Sequence, residues 1–234
     1  IVRALWRTFR THKRLLEWVV SSEVNGKVRK RVVKKKVKTL SDAQIKKYRI
    51  TSRKIWAFYD DYATQNENFL PPDNVQFTPV YAVAHRTSPT NIGFLILSTV
   101  IAEHFGYISI EEMICRLENI LNTLDKMKKW NGHIFNWYDT LTLQPLEPVY
   151  VSCVDSGNLA ACLLASSCII YEMSSADTSV NAYLVKTVRG LLDTIYCLND
   201  FAAKSDEMPT KLLEDFLKKD NLEENDSTRD EILK

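Results

Sequence analysis

The chain has 234 residues, room for one substantial domain or for a domain with an arm, and its 45% hydrophobic content with ten tyrosines excludes a disordered chain. The net charge is only +2, but residues 1–54 hold 18 Lys/Arg against three acids, so a segment of +15 precedes a remainder of −13. Five cysteines, an odd count without CxxC spacing, argue against a disulfide framework or a thiolate metal site and fit a reduced compartment.

Residues 1–20 place Leu5, Phe9, Leu15, Leu16 and Val19 among cations, with Trp6 and Trp18. This pattern suits either a helix on a membrane surface or one packed on the body. Residues 27–38, KVRKRVVKKKVK, hold eight cations. A solvated linker is the bland reading; anionic lipid is the partner that residues 1–38 would otherwise take. Nucleic acid is disfavoured, because no zinc spacing, RNP motif or GXXG clamp accompanies the charge. Residues 1–40 are therefore assigned to a basic amphipathic arm and linker.

Ser41 with Gln44 predicts a capped helix over 41–63. Leu70-Pro-Pro72 ends helical tendency, and residues 70–90 read as an extended, ordered connection. Helices are predicted from Ser88–Asn91 to Phe105, stopped by Gly106, and from Ser109 to residue 127, the latter with apolar positions 113, 114, 117, 120, 121, 124 and 127. Asp155 or Ser156 is expected to cap a helix to Met173, and another runs over 176–201. Residues 149–154 are the one fair strand. The longest apolar runs, 92–102 and 159–170, are interrupted by Ser or Thr and fall short of the roughly 20 residues of a membrane span. No leader is expected at the amphipathic N-terminus. The body is assigned to 41–205, and 206–234 to a short helix and an acidic tail.

Residues 130–159 carry the chemistry. Trp130, Phe135, Trp137 and Tyr138 lie beside Asp139, Glu147, Asp155, Asn136 and Asn158. Aromatic faces stack on sugar rings while carboxylates and amides bond hydroxyls, so a small polar ligand fits this composition. The competing reading is a helix-to-helix connection whose aromatics plug a core. The four histidines have no metal spacing, and no P-loop, GxSxG or dinucleotide fingerprint occurs, so neither metal nor cofactor is expected.

Five motifs occur in order: Phe69-Leu-Pro-Pro-Asp-Asn74, Ala84-His-Arg-Thr-Ser-Pro-Thr-Asn-Ile-Gly93, Gly132-His-Ile-Phe-Asn-Trp-Tyr-Asp-Thr140, Leu146-Glu-Pro148 and Val154-Asp-Ser-Gly-Asn-Leu159. Over roughly Arg53–Asp200 they resemble the cyclic β-1,2-glucan synthase family, in the region leading into and opening its glucoamylase-like helical domain. Leu15-Leu-Glu-Trp18 is weakly similar to the stretch bordering that family's membrane helices. Only a short, mostly polar stretch separates it from Arg53 here, a departure that leaves surface attachment rather than integration.

The resemblance implies a mainly all-α fold of antiparallel helix pairs, the first part of an (α/α)6 toroid with long ordered loops. It also implies transglycosylation on β-1,2-glucan, which needs two carboxyl groups across the scissile bond. Asp139, among aromatics that would raise its pKa, and Asp155, at a helix start that would favour its charge, are the available pair. The preferred reading is that Asp155 is a cap and Asp139 a sugar ligand. The family's catalytic glutamates lie further along the toroid and have no counterpart before Lys234, so no catalytic residue is assigned. The predicted helices are also too few for a complete toroid.

The expected sugar contacts are Arg86, Asn136, Trp137, Tyr138, Asp139, Asp155 and Asn158. The expected partners are β-1,2-glucan or a related oligosaccharide and the remainder of the synthase on another chain. A cytoplasmic location is expected, with peripheral attachment to the inner face of the plasma membrane as its variant. The alternative function is a non-catalytic helical interaction module that uses the basic arm for membrane, protein or nucleic acid.

Overall fold

The computed structural model describes residues 23–24, 27–28, 40–174 and 179–201. The chain divides into two units at Ser41. Of the first, the description covers one antiparallel ladder, β1 (Glu23–Val24) with β2 (Lys27–Val28). The expected helix over 1–20 and the segment 206–234 lie outside the described residues.

The body is mainly helical, as its periodicity requires. Helix α1 (Asp42–Tyr62) opens with the capping box: Ser41 Oγ accepts from Gln44 N, and Gln44 Oε1 accepts from Ser41 N at 2.9 Å. Helix α2 (Pro89–His104) is capped by Ser88, with Pro89 where a missing N–H costs nothing, and is followed by Gly106 at φ +78°. Helix α3 (Ile110–Lys126) is capped by Ser109 Oγ, 3.2 Å from Glu112 N. The short connection between α2 and α3 makes them a helical hairpin.

Helix α4 (Cys153–Met173) starts earlier than expected. Its cap is Ser152, whose Oγ accepts from Asp155 N at 3.2 Å, so Asp155 sits inside the first turn and neither it nor Ser156 is the N-cap. Helix α5 is Val180–Phe201.

Among the described residues of the body, strand is confined to two-residue ladders: β3 (Val75–Gln76) with β4 (Ala82–Val83), β5 (Arg86–Thr87) with β8 (Tyr138–Asp139), and β6 (Lys129–Trp130) with β7 (His133–Ile134). The strand expected over 149–154 does not form, because Ser152 turns Cys153 and Val154 into α4. The ladder that does form between β6 and β7 closes on Asn131 and Gly132, both at positive φ, the requirement of a tight hairpin turn.

Helix α2 is apolar around its circumference and packs against α1, α3 and, most extensively, α4. The last contact depends on Gly93: a Cβ there would sit 3.1 Å from Leu159 Cα and 3.2 Å from Cys162 Cβ. Ile92, Leu95 and Ile96 of α2 meet Ile120 and Leu124 of α3, Leu159 of α4, and the loop residues Leu70 and Tyr138 in one core.

Helix α5 is held to α1 by polar groups. Arg49 meets Asp193 at 2.8 Å, Tyr107 OH donates to the same carboxylate at 3.0 Å, and Arg53 Nε donates to Thr194 Oγ1 at 2.9 Å. Burial pushes the Asp193 carboxyl above its ordinary value despite the Arg49 charge. Burial, followed by the Asp193 charge, lifts the Tyr107 phenol well above its own. Lys186 pairs with buried Glu103 between α5 and α2.

Helices α4 and α5 keep large apolar side chains open, with Val154, Val180 and Leu198 at 72%, 74% and 60% exposure. Helix α4 is long and apolar enough, by length and composition alone, to cross a membrane, because residues 159–170 form part of a longer helix than their interrupted run suggests.

Candidate functional site

Two long connections, 63–88 between α1 and α2 and 127–152 between α3 and α4, meet through the ladder of β5 with β8. Arg86 faces Asp139 across it, and Thr87 faces Tyr138. The backbone extends the junction, with Thr140 N donating to His85 O at 3.1 Å, and Leu146 N donating to Trp137 O at 2.9 Å folds the second connection on itself. This pairing of segments more than fifty residues apart brings the sugar-binding candidates into one neighbourhood.

Asn136 is the hub. It is 5% exposed. The carboxamide orientation that satisfies its neighbours donates to Asp155 Oδ2 at 2.8 Å and accepts from Trp137 Nε1 at 2.8 Å and from Tyr150 OH at 2.7 Å. Asp155 also accepts from Thr90 Oγ1 at 2.6 Å and Ser152 Oγ at 2.5 Å, and Asn158 Nδ2 donates to Thr90 Oγ1 at 3.0 Å. Asn136, Trp137, Asp155 and Asn158 therefore form one hydrogen-bonded chain across the loop and the start of α4.

Arg86 joins this group from the other loop. Its guanidinium lies 5.0 Å from the centre of the Trp137 ring and donates to Asp73 Oδ2 at 3.0 Å, while Asn91 Nδ2 holds Asp73 Oδ1 at 3.2 Å. A half-exposed cation over an indole, clamped by a carboxylate, is a rigid surface with one polar and one aromatic component. Arg86 and His85, with Asn74, Gln76, Ala82–Ala84 and Leu146, line a shallow depression of about 470 Å³. That volume falls in the range of ligand pockets, roughly 300–1,000 Å³.

Two of the candidates are placed otherwise. Tyr138 is fully buried. Its OH donates to Lys128 O at 2.6 Å and accepts from Phe135 N at 2.8 Å, so the ring plugs the core between the loop and α2. The side chain of Asp139 is committed to its own turn: Oδ1 accepts from Leu141 N at 2.9 Å, Thr142 N at 2.7 Å and Thr142 Oγ1 at 2.9 Å. The expected rise in its pKa is reversed. Burial does push the Asp139 carboxyl up, but the Thr142 and Leu141 donors together, aided by His85, hold it below the usual carboxylate value. Aromatic neighbours in sequence did not mean an apolar surrounding in space.

Other groups escaped the sequence reading. Glu67, 7% exposed, accepts from Thr140 Oγ1 and meets His85 Nδ1 at 2.7 Å, which fixes the imidazole at the edge of the depression. Nothing local in the sequence marks Glu67. Asp73 directly follows Pro71-Pro72 in the Phe69–Asn74 motif, which was the available signal. Among the described residues no group of His, Cys, Asp and Glu is arranged to hold a metal ion.

No protein-family model matches the chain. Over 176 residues, 75% of its length, it is 44% identical to the cyclic β-(1,2)-glucan synthase NdvB of Rhizobium meliloti (strain 1021). The chain is a relative of cyclic β-(1,2)-glucan synthase. It spans about 6% of the length of that protein, so it corresponds to a small part of the synthase.

Among solved structures, the endo-β-1,2-glucanase of Chitinophaga pinensis in complex with sophorotriose and glucose is 17% identical, with a TM-score of 0.47 over 66% of this chain and 37% of that one. A glucoamylase-like protein of Bacteroides caccae ATCC 43185 is 20% identical, with a TM-score of 0.47 over 65% and 37%.

Proposed function

We propose that the body from Ser41 is the opening part of a helical toroid of the synthase kind, and that its loops form a wall that binds β-1,2-glucan. The observation that carries this is the Asp73–Arg86–Trp137–Asn136–Asp155 chain of contacts, which holds an indole against the guanidinium of Arg86, one of the residues lining the depression. In this reading Arg86, Trp137 and Asn158 meet sugar. Asn136 and Asp155 hold Trp137 in place. Tyr138 and Asp139 support the loop.

In this reading neither Asp139 nor Asp155 is a catalytic group. The lone pairs of Asp155 are taken by Thr90, Ser152 and Asn136, and those of Asp139 Oδ1 by its turn. A glycosidic acid and its partner need carboxyl groups free to face the scissile bond. They belong, on this proposal, to a neighbouring segment of a complete domain. The open apolar side chains of α4 and α5 are what such a segment would cover.

The test is thermal unfolding of the full chain by circular dichroism with and without linear β-1,2-glucan. Saturating ligand at about 100 times Kd adds about 2.7 kcal/mol of stability. An upward shift in the unmutated chain, lost in Trp137→Ala and Arg86→Ala, is the expected result. An unmutated chain that unfolds cooperatively at the same temperature with and without glucan would overturn the proposal.

A further inference from the structure

Helices α1 and α3 both pack on α2. They are bridged by Arg116, whose guanidinium donates to Asp60 of α1 at 2.6 Å and to Glu112 at 2.8 Å and lies 5.2 Å from the centre of the buried Trp56 ring. Beside this bridge the three helices do not close. Ala63 and Thr64 at the end of α1, Leu95 of α2, Asn119 and Ile120 of α3, and Phe69 from the first connection border a cavity of about 210 Å³. None of them lines the depression beside Arg86.

Phe69 is the unusual member. Its φ is +60° and follows Asn68 at +53°, a left-handed pair that a bulky residue adopts only at a cost in energy. Glycine would take the same turn freely. Phenylalanine instead brings a ring that packs on the core and lines the cavity. The polar groups of the cavity are unevenly committed. Asp60 and Arg116 hold each other, and Thr99 Oγ1 donates to Leu95 O at 2.8 Å. Asn119 lies one turn beyond Arg116 on the same face of α3. Among the described residues its side chain reaches only Cys115 Sγ, at 3.7 Å, which leaves the amide oxygen open as an acceptor.

We infer that this cavity binds one small phenol. An apolar cavity of about 150 Å³ holds benzene, so 210 Å³ holds the same ring with a substituent or two. Ala63, Phe69, Leu95 and Ile120 suit the ring, and the O–H at its edge donates to the Asn119 oxygen. A pyranose is the wrong chemistry, because hydroxyls around its whole rim would be pressed against Phe69, Leu95 and Ile120 without partners. The site is separate from the glucan-binding reading and stands or falls without it.

The experiment titrates the full chain with para-cresol and, separately, with toluene by calorimetry. A single para-cresol should bind per chain with Kd below about 1 mM. Toluene lacks the hydroxyl and should bind about 5-fold more weakly, the effect of one hydrogen bond. Ala63→Leu puts an isobutyl group where a methyl stands and should abolish binding while leaving the melting temperature unchanged or raised, as cavity-filling substitutions do. Asn119→Ala should bind para-cresol about 5-fold more weakly and toluene as before. Absence of para-cresol binding at about 1 mM, equal affinity for the two ligands, or binding to a normally folded Ala63→Leu as tight as to the unmutated chain overturns the inference. Should Ala63→Leu melt lower, Asn119→Ala decides alone: weaker binding of para-cresol but not of toluene upholds the site, and no difference removes it.

Discussion

Asn136 is where the site can be broken with the clearest accounting. Asn136→Ala removes three hydrogen bonds, with unequal consequences. Tyr150 OH is on an exposed residue and finds water, and Asp155 keeps Thr90 and Ser152. Trp137 Nε1 is left without its acceptor in a half-buried place. An unsatisfied donor of this kind costs about 1–3 kcal/mol, and the small void left by the carboxamide about 1 kcal/mol more. At roughly 2–4 °C per kcal/mol for a body of this size, the melting temperature should fall by about 5–15 °C.

Asn136→Asp tests the same hub through charge. It keeps an acceptor for Trp137 and Tyr150, but replaces the N–H that meets Asp155 at 2.8 Å with a second carboxylate. Two carboxylates sharing a site raise the pKa of one of them. The folded state then binds a proton that the unfolded state, with a carboxyl pKa of about 3.9, does not. The deficit relative to the unmutated chain is full above the raised folded pKa and shrinks as pH falls through it toward about 4. Circular dichroism melts at pH 7 and near pH 4 read this directly. A drop below about 2 °C for Asn136→Ala, or a gap for Asn136→Asp that does not close in acid, would falsify the hub.

Two further outcomes follow from the packing and the loop. Gly93→Val drives a branched side chain into Leu159 and Cys162 and should cost at least about 1–3 kcal/mol in urea unfolding, whereas Gly93→Ala, with about 1 kcal/mol of helix propensity in its favour, should come out near neutral; equal effects of the two would mean that α2 and α4 do not cross this closely. Asp139, held below the usual carboxylate pKa by its turn, contributes stability that is present above the unfolded value and lost as pH falls through the folded one. Asp139→Asn keeps an oxygen for Leu141 and Thr142 and should flatten that part of the acid limb, and an unchanged limb would assign it to other groups.

The helices were legible because their signals are local. Ser41 with Gln44, Ser88 with Pro89, and Ser109 with Glu112 each act within one turn, and the apolar period of α3 needs only its own residues. The start of α4 was misread because several polar residues in succession could cap, and Ser152 wins by reaching Asp155 N. Asn131-Gly132 is strong hairpin-turn chemistry and the β6–β7 ladder closes there, whereas residues 149–154 have only their apolar content to suggest a strand.

The candidate site was legible as a set of residues and illegible as an arrangement. Trp137 and Asp155 are joined through Asn136, but Tyr138 and Asp139 next to Trp137 turn to the core and to their own turn. A two-residue ladder decides that orientation, and its partner Arg86 lies more than fifty residues away, beyond the reach of any sequence period.

By itself, then, the sequence determined what short-range chemistry can determine: a helical body, its caps and breaks, a basic segment ahead of it, and a loop whose motifs match those of a glucan synthase. Tertiary structure alone decided which carboxylates are committed and which cation meets which ring. Those outcomes depend on contacts such as Asn136 with Asp155 and Glu67 with His85, formed only once distant loops have been brought together.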